Sequence, residues 1–355
     1  MTNRQRMLSV LQGQKPDRVP FVQYHRLTAP NEDVWSLIGR ENFGIIRRSR
    51  VYTLQTPNCR IEPDNFERNG QRGYTSTLHT PMGFLTQEKL LEPTYGTAAT
   101  SKHYVKDIKD YNVLNAYLRD IVVQEDLSGF LKDQKELTDD GVQMVFTQRT
   151  PFQQLWINWV SLEDLCLHMV DEPEVLAETI ALLTDIQRRI FRAIRKAADK
   201  VFIPYVNIPD NITAPAIGVS NFRKYCLPLY QELSEMMAQK NVPVSVHTDG
   251  DLKPLWQAIG ESGILALDSF STPPDNDTSV AQAIAMWPKM RLLLNFPSSI
   301  HLADPQTVYE KATQILKEGG HTGRLWIQIS ENVPPFAWRK SFPEIVRAIH
   351  DFGQP

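Results

Sequence analysis

The stretch NVPVSVHTDGDLKPLWQAIGESGILALD, residues 241–268, decides the fold. VPVSVH (242–247) is short and apolar up to its final His, the mark of a strand buried on both faces. DLKPLWQAIGES reads as a helix, and ILALDSF (264–270) as the next strand. Two buried strands joined through one helix form a βα repeat with parallel strands.

The rhythm extends in both directions. VFIPYV (201–206) precedes the helical NFRKYCLPLYQELSEMMAQK, and DTSVAQAIAM follows ILALDSF. RLLLNF (291–296) leads into DPQTVYEKATQILKEGG, and RLWIQIS (324–330) into SFPEIVRAIHDFG. With VPFVQYH (19–25), IIRRSRVYTLQ (45–55) and VQMVFTQ (142–148), eight strands are expected. Eight favours a closed (β/α)8 TIM barrel, class α/β, over an open sheet. A helix over 3–13 ends at Gly13, and Asn31 is placed to cap a helix over EDVWSLIG. RGYTSTLHT and GFLTQEKL flank a Pro-Met-Gly turn, which predicts a hairpin laid over the main body. Helices are expected near 106–137 and through 151–199. The whole reads as a single domain, 1–355: a barrel with an N-terminal helical and β-hairpin elaboration.

Composition excludes several classes. A net charge of −3 gives no footprint for nucleic acid or an anionic membrane. Cys59, Cys166 and Cys226 are scattered, so neither a disulfide framework nor a cysteine zinc site is indicated. Cys166, in SLEDLCLHMV, reads as part of a buried helix face. MTNRQRMLSVLQG lacks the apolar core of a signal peptide, and no apolar run spans a bilayer, so a cytoplasmic protein is expected. No GxGxxG or GxxxxGK[ST] follows a strand, which removes the common nucleotide folds.

Barrel enzymes carry their chemistry at the C-terminal ends of the strands. Those positions hold Tyr24 and His25; Gln148 and Arg149; Asn207, Asp210 and Asn211; His247 and Asp249; Asp268; Asn295; and Gln328, Ser330 and Glu331. Several have plainer readings. Asp249 can cap the helix near Asp251, and Asp268-Ser269 and Asp210-Asn211 can be turns. Convergence weighs against these: His247, Asp249 and Glu331 come from strands that approach one mouth. In H-x-D, positions i and i+2 share a face of an extended strand. Imidazole and carboxylate together suit a catalytic Zn²⁺ with an open position, so these three are the expected metal ligands.

At these residues the sequence resembles the uroporphyrinogen decarboxylase superfamily. RQRMLSVLQGQKPDRVPFVQYH looks like its N-terminal helix and first strand. NFRKYCLPLYQELSEMMAQKNVPVSVHTDGDLKPLWQAIGESGILALD resembles its central helix and the strand ending in His. GRLWIQISENVPPFAWRKSFPEIVRAI resembles its last strand, Pro-rich loop and closing helix. The decarboxylase itself has an Arg-rich segment after the first strand for its polycarboxylate substrate. Here QYHRLTAPNED keeps only Arg26, which points to the other branch, the corrinoid-dependent methyltransferases. That branch holds zinc through H-x-C and a later Cys. His247 matches its His; Asp249 and Glu331 stand where thiolates would be.

A carboxylate-rich site makes zinc a stronger Lewis acid, suited to expelling a phenolate from an aryl methyl ether. The resemblance therefore implies transfer of methyl from a methoxylated aromatic to the Co(I) corrinoid of a separate corrinoid protein, the first step of O-demethylation. It implies zinc in the chain and cobalamin on the partner, since no DxHxxG cobalamin signature occurs. Tyr24 or His25 would contact or protonate the leaving oxygen, and Asp210 or Asn211 would orient the substrate. Gln148, Asn295 and Trp338 complete the expected substrate contacts, among rim aromatics that include Phe152, Trp156, Phe296 and Phe336. A homodimer is compatible only if it leaves the mouth open to the corrinoid protein. Two alternatives are a metal-free decarboxylase of another acid, with an Asp stabilising cationic intermediates, and a silent barrel that serves as a binding subunit.

Overall fold

The computed structural model describes residues 1–92 and 97–354. The chain forms two compact units: Met1–Val51, Leu127–Thr147 and Ala198–Pro355 make the first, Tyr52–Asp126 and Gln148–Ala197 the second.

The first unit is the barrel. Its strands are β1 (Phe21–Tyr24), β2 (Gly44–Ser49), β3 (Gly141–Phe146), β4 (Tyr205–Ile212), β5 (Val244–Thr248), β6 (Ala266–Phe270), β7 (Arg291–Asn295) and β8 (Leu325–Ile329). They close in the order β1-β8-β7-β6-β5-β4-β3-β2, every pair parallel. The expected (β/α)8 architecture is present. Side chains alternate between the interior and the helix layer, so Val22, Ile46, Val142, Met144, Tyr205, Ala266, Leu293 and Trp326 meet in one core. Met7, Val10 and Leu11 of the N-terminal helix Asn3–Leu11 join that core and stop its N-terminal end. Thr2 and Gln5 form its capping box, and Gly13, at φ +71, follows its end.

Boundaries shift in ways that matter for the site. The fourth strand runs over Tyr205–Ile212, not 201–206, so Asp210 and Asn211 lie within it. The expected strand 45–55 is two strands: β2 ends at Ser49, and Tyr52–Gln55 pairs antiparallel with Val122–Glu125 in the second unit. The closing helix begins at Pro335, so Trp338 is helical rather than in a loop. Asn31 starts its helix but does not cap it; its amide binds Gln23, Arg26 and His25 instead.

The second unit contains a four-stranded antiparallel sheet, Arg60–Arg68, Gln71–Thr80, Gly83–Glu92 and Thr97–Lys102. The expected hairpin is its middle pair, with Thr80 opposite Gly83 across the Pro-Met turn. Helices Asp110–Asp120, Pro151–Gln154, Leu162–Asp171 and Pro173–Ala197 belong to the same unit, with a π-helical turn over Leu155–Trp159. Cys166 is exposed, because Leu165 and His168 take the buried face of its helix. Among the described residues, no helix is long and apolar enough to cross a membrane.

Candidate active site

At the C-terminal half of the barrel the interior changes from apolar to polar. Two residues beyond core positions, alternation brings Tyr24, Arg48, Asn207, Asp268, Asn295 and Gln328 inward. Their centre is Asp268, which is fully buried. Its Oδ1 accepts from the Tyr24 hydroxyl at 2.9 Å and the Gln328 amide at 2.8 Å; its Oδ2 accepts from the Tyr205 hydroxyl at 3.1 Å. Gln328 is oriented by the Trp326 indole, which donates to its Oε1 at 2.9 Å. Burying a carboxylate is costly unless donors compensate it, and three do. Burial, then the Asp268 charge, pushes the Tyr24 and Tyr205 phenols well above their usual range, so both remain donors.

Asp268 also supports His247 through its backbone. His247 Nδ1 lies 2.9 Å from the Asp268 carbonyl oxygen and 3.0 Å from the Ser269 nitrogen. When Nδ1 is protonated it donates to the carbonyl; when bare it accepts from the Ser269 N–H. Asn207 reaches the Ser245 hydroxyl at 2.9 Å, and Thr248 donates to the Ser269 carbonyl at 2.6 Å, so the ends of β4, β5 and β6 are tied together. Among the described residues, His247 Nε2 has no partner.

The other expected residues fall in different places. His25 is turned away from the interior: Nδ1 is 3.0 Å from the Asn31 amide and Nε2 3.1 Å from Arg47. Burial and the neighbouring Arg47 hold its pKa below the usual value. Asp210 is buried on the helix side of β4, where the Tyr230 hydroxyl donates to it at 2.5 Å. Asn211 donates to Asp249 at 2.7 Å. Trp338 is buried against Phe342, ring centroids 5.7 Å apart, while Phe336 is exposed. Asn295 accepts the Ser330 N–H at 3.0 Å, and among the described residues its buried Nδ2 has no partner. Gln148 belongs to the second unit, where its carbonyl accepts from Gln187 at 2.9 Å.

The zinc trio is not gathered. Asp249 is exposed beyond the end of β5 and held by Asn211, and it caps no helix; Glu331 is exposed and accepts from Ser298 at 2.5 Å. Among the described residues, no three His, Cys, Asp or Glu side chains form a metal cradle. His247 alone has the stance of a ligand, with Nδ1 braced by a backbone carbonyl and Nε2 open. As arranged, the three residues do not fit the ion.

Two interior residues escape a reading by strand ends. Tyr205 lies inside β4, and Arg48 is passed over when β2 is extended to Gln55. The Arg48 guanidinium lies over the Tyr24 ring, 4.1 Å from its centroid. The signal for it is a cation two residues after an inward Ile.

The profile of the family described as uroporphyrinogen decarboxylase (URO-D) matches residues 154–352, more than half of the chain. The chain belongs to the URO-D family. Among solved structures, this URO-D barrel is similar to a methyltransferase from Methanosarcina mazei, with TM-score 0.60, 13% identity and 99% of each chain covered. A likeness at that identity shows the fold. A chitinase from Chromobacterium violaceum, TM-score 0.39 and 10% identity over 92% of this chain and 99% of the other, is too distant to inform the site. No curated protein sequence matches the chain.

Proposed function

We propose that this URO-D barrel is a methyltransferase that moves the methyl group of an aryl methyl ether to the Co(I) corrinoid of a separate protein. The observation that carries the reading is His247: one imidazole at the barrel mouth, with Nδ1 held by the backbone of Asp268 and Ser269 and Nε2 unpartnered among the described residues. The fold likeness to a methyltransferase supports it. So does the first-strand segment, where Arg26 is exposed and no cluster of arginines follows to grip a polycarboxylate.

The reduced cobalt of the partner's corrinoid supplies the nucleophile for the methyl carbon. The C–O bond breaks with its electron pair left on the phenolic oxygen. The protonated His247 ring gives its Nε2 proton to that oxygen, and the phenol leaves. Nδ1–H stays on the Asp268 carbonyl throughout, so the ring keeps its direction. Tyr24, Tyr205 and Gln328 hold Asp268, and Asp268 positions His247 through its main chain. Tyr24 is thus a support rather than the proton donor, and His25, with both nitrogens engaged, is outside the chemistry. Zinc on His247, Asp249 and Glu331 is a second form of the reading; it requires Asp249 to leave Asn211 and Glu331 to leave Ser298. The decarboxylase alternative finds an acid in Asp268, but both its oxygens are already taken.

The test is anaerobic mixing of the chain with a Co(I) corrinoid protein and a panel of methoxylated aromatics, following loss of Co(I) absorbance and release of phenol. His247→Ala is expected to slow both by roughly 10²- to 10⁴-fold, the usual worth of a positioned acid. No turnover with any methyl ether, or an unimpaired His247→Ala, overturns the proposal.

A further inference from the structure

The end of β2 and the residue after it hold three arginines in four positions, Arg47 and Arg48 on the strand and Arg50 just beyond it, and the two on the strand have different surroundings. Arg47 faces the helix layer and is neutralised by Asp133 at 2.9 Å and Glu136 at 3.0 Å. Arg48 faces the other way. It follows inward Ile46 by two positions, and its guanidinium is spread over the Tyr24 ring, 4.1 Å from the centroid. Among the described residues, no carboxylate lies within ion-pair distance of it. The acid deeper in the barrel, Asp268, is bound at the Tyr24 hydroxyl and satisfied by its three donors. The barrel thus directs an exposed, uncompensated cation at its own mouth and braces it on an aromatic face.

A second, independent feature points to the same kind of ligand. Asn295, 2% exposed, is inward by alternation from Leu293; its Oδ1 takes the Ser330 N–H, and its Nδ2 donates to nothing among the described residues. Leaving a buried donor unsatisfied is unfavourable, so such a group marks a place where an acceptor binds. His247 Nε2, when protonated, is another donor at this end. One cation and a set of neutral donors match a ligand with a single negative charge and further acceptor oxygens.

We propose that Arg48 binds the carboxylate of the methyl donor, so that the substrates are methoxylated aromatic acids rather than neutral methoxyarenes. The inference rests on the methyltransferase reading for the ether group only; the anion site stands on Arg48 and Asn295. Arginine is suited to the task because its fork meets both carboxylate oxygens, a geometry that lysine cannot copy.

Binding to the full chain, measured by calorimetry without any corrinoid, separates this inference from the methyl-transfer reading. The probes are 4-methoxybenzoate, benzoate, and neutral 4-methoxybenzyl alcohol. Both anions are expected to bind, and the alcohol at least ~10-fold more weakly. Arg48→Met is expected to weaken the anions roughly 10- to 100-fold and leave the alcohol unchanged, with Arg48→Lys in between. Absence of anion binding to the wild type, equal binding of acid and alcohol, or indifference of the anions to both variants overturns the anion site. Anion binding lost in Arg48→Met together with no methyl transfer from any ether upholds the site and sinks the proposed activity.

Discussion

Removing the Asp268 carboxylate should destabilise the barrel by an amount readable from its partners. In Asp268→Ala, the hydroxyls of Tyr24 and Tyr205 and the amide of Gln328 lose their acceptor while remaining buried. Each stranded donor costs about 1–3 kcal/mol, and partial relaxation brings the three to roughly 3–6 kcal/mol. At about 2.1 cal/mol/K per residue over 355 residues, each kcal/mol moves Tm by about 1.3 °C, so the loss is about 4–8 °C. Asp268→Asn keeps one acceptor oxygen and should lose about 1–3 kcal/mol. Thermal unfolding followed by far-UV circular dichroism measures both. A cycle with Tyr24→Phe should return a coupling of about 1–3 kcal/mol. If Asp268→Ala melts within about 1 °C of the wild type, Asp268 is not the hub of a satisfied network and the support assigned to His247 fails with it.

Buried His301 has its pKa lowered to about 3 by desolvation, its Nδ1 meeting the Ser341 hydroxyl at 2.8 Å. The unfolded chain takes up this proton first, so the stability from keeping the ring neutral is whole above about pH 6.5 and drains away towards pH 3. At pH 4.5 the loss is roughly 2–3 kcal/mol, and His301→Gln should flatten the fall of Tm with acid; parallel profiles for the two proteins would refute this. Gly141 lies opposite Ile45, and a Cβ there would stand 1.8 Å from the Ile45 carbonyl oxygen. Gly141→Ala should therefore cost about 3 kcal/mol in denaturant unfolding, and a neutral result would mean that the β2–β3 pairing is misplaced. For the metal, the dispersed trio predicts well under one zinc per chain after dialysis against zinc, unchanged in Asp249→Asn and Glu331→Gln. About one zinc per chain, lost in both variants, would instead show that the carboxylates swing together to bind it.

The barrel was legible because its strands are short, apolar on both faces and separated by helix-length segments. The interior was legible only where a strand end was placed correctly. His247 and Asn295 lie at or next to the ends of strands whose ends were read within a residue, and both face the expected end of the barrel. A late end for β2 hid Arg48, an early one for β4 made Asp210 look like a loop residue, and Tyr205, at the start of β4, lies where a reading of strand ends does not look. With a period of two, an odd step along the strand exchanges interior for helix side: Asn207 faces in, whereas Asp210 faces out and meets the Tyr230 hydroxyl. The H-x-D argument failed for a related reason: β5 ends at Thr248, so Asp249 no longer follows the pleat that directs His247. Asn31, with the composition of a cap, was drawn off by Gln23, Arg26 and His25, tertiary partners that no local pattern reveals.

The most direct measurement follows the labelled atoms. The chain is incubated anaerobically with a Co(I) corrinoid protein and a panel of acidic and neutral aromatics bearing ¹³C in the O-methyl group; the acids also carry ¹³C in the carboxyl. The account predicts the methyl label on cobalt, one phenol released per methyl moved, and the carboxyl label retained in the product. Carboxyl label appearing as CO₂, or no methyl label on cobalt from any member of the panel, would contradict it.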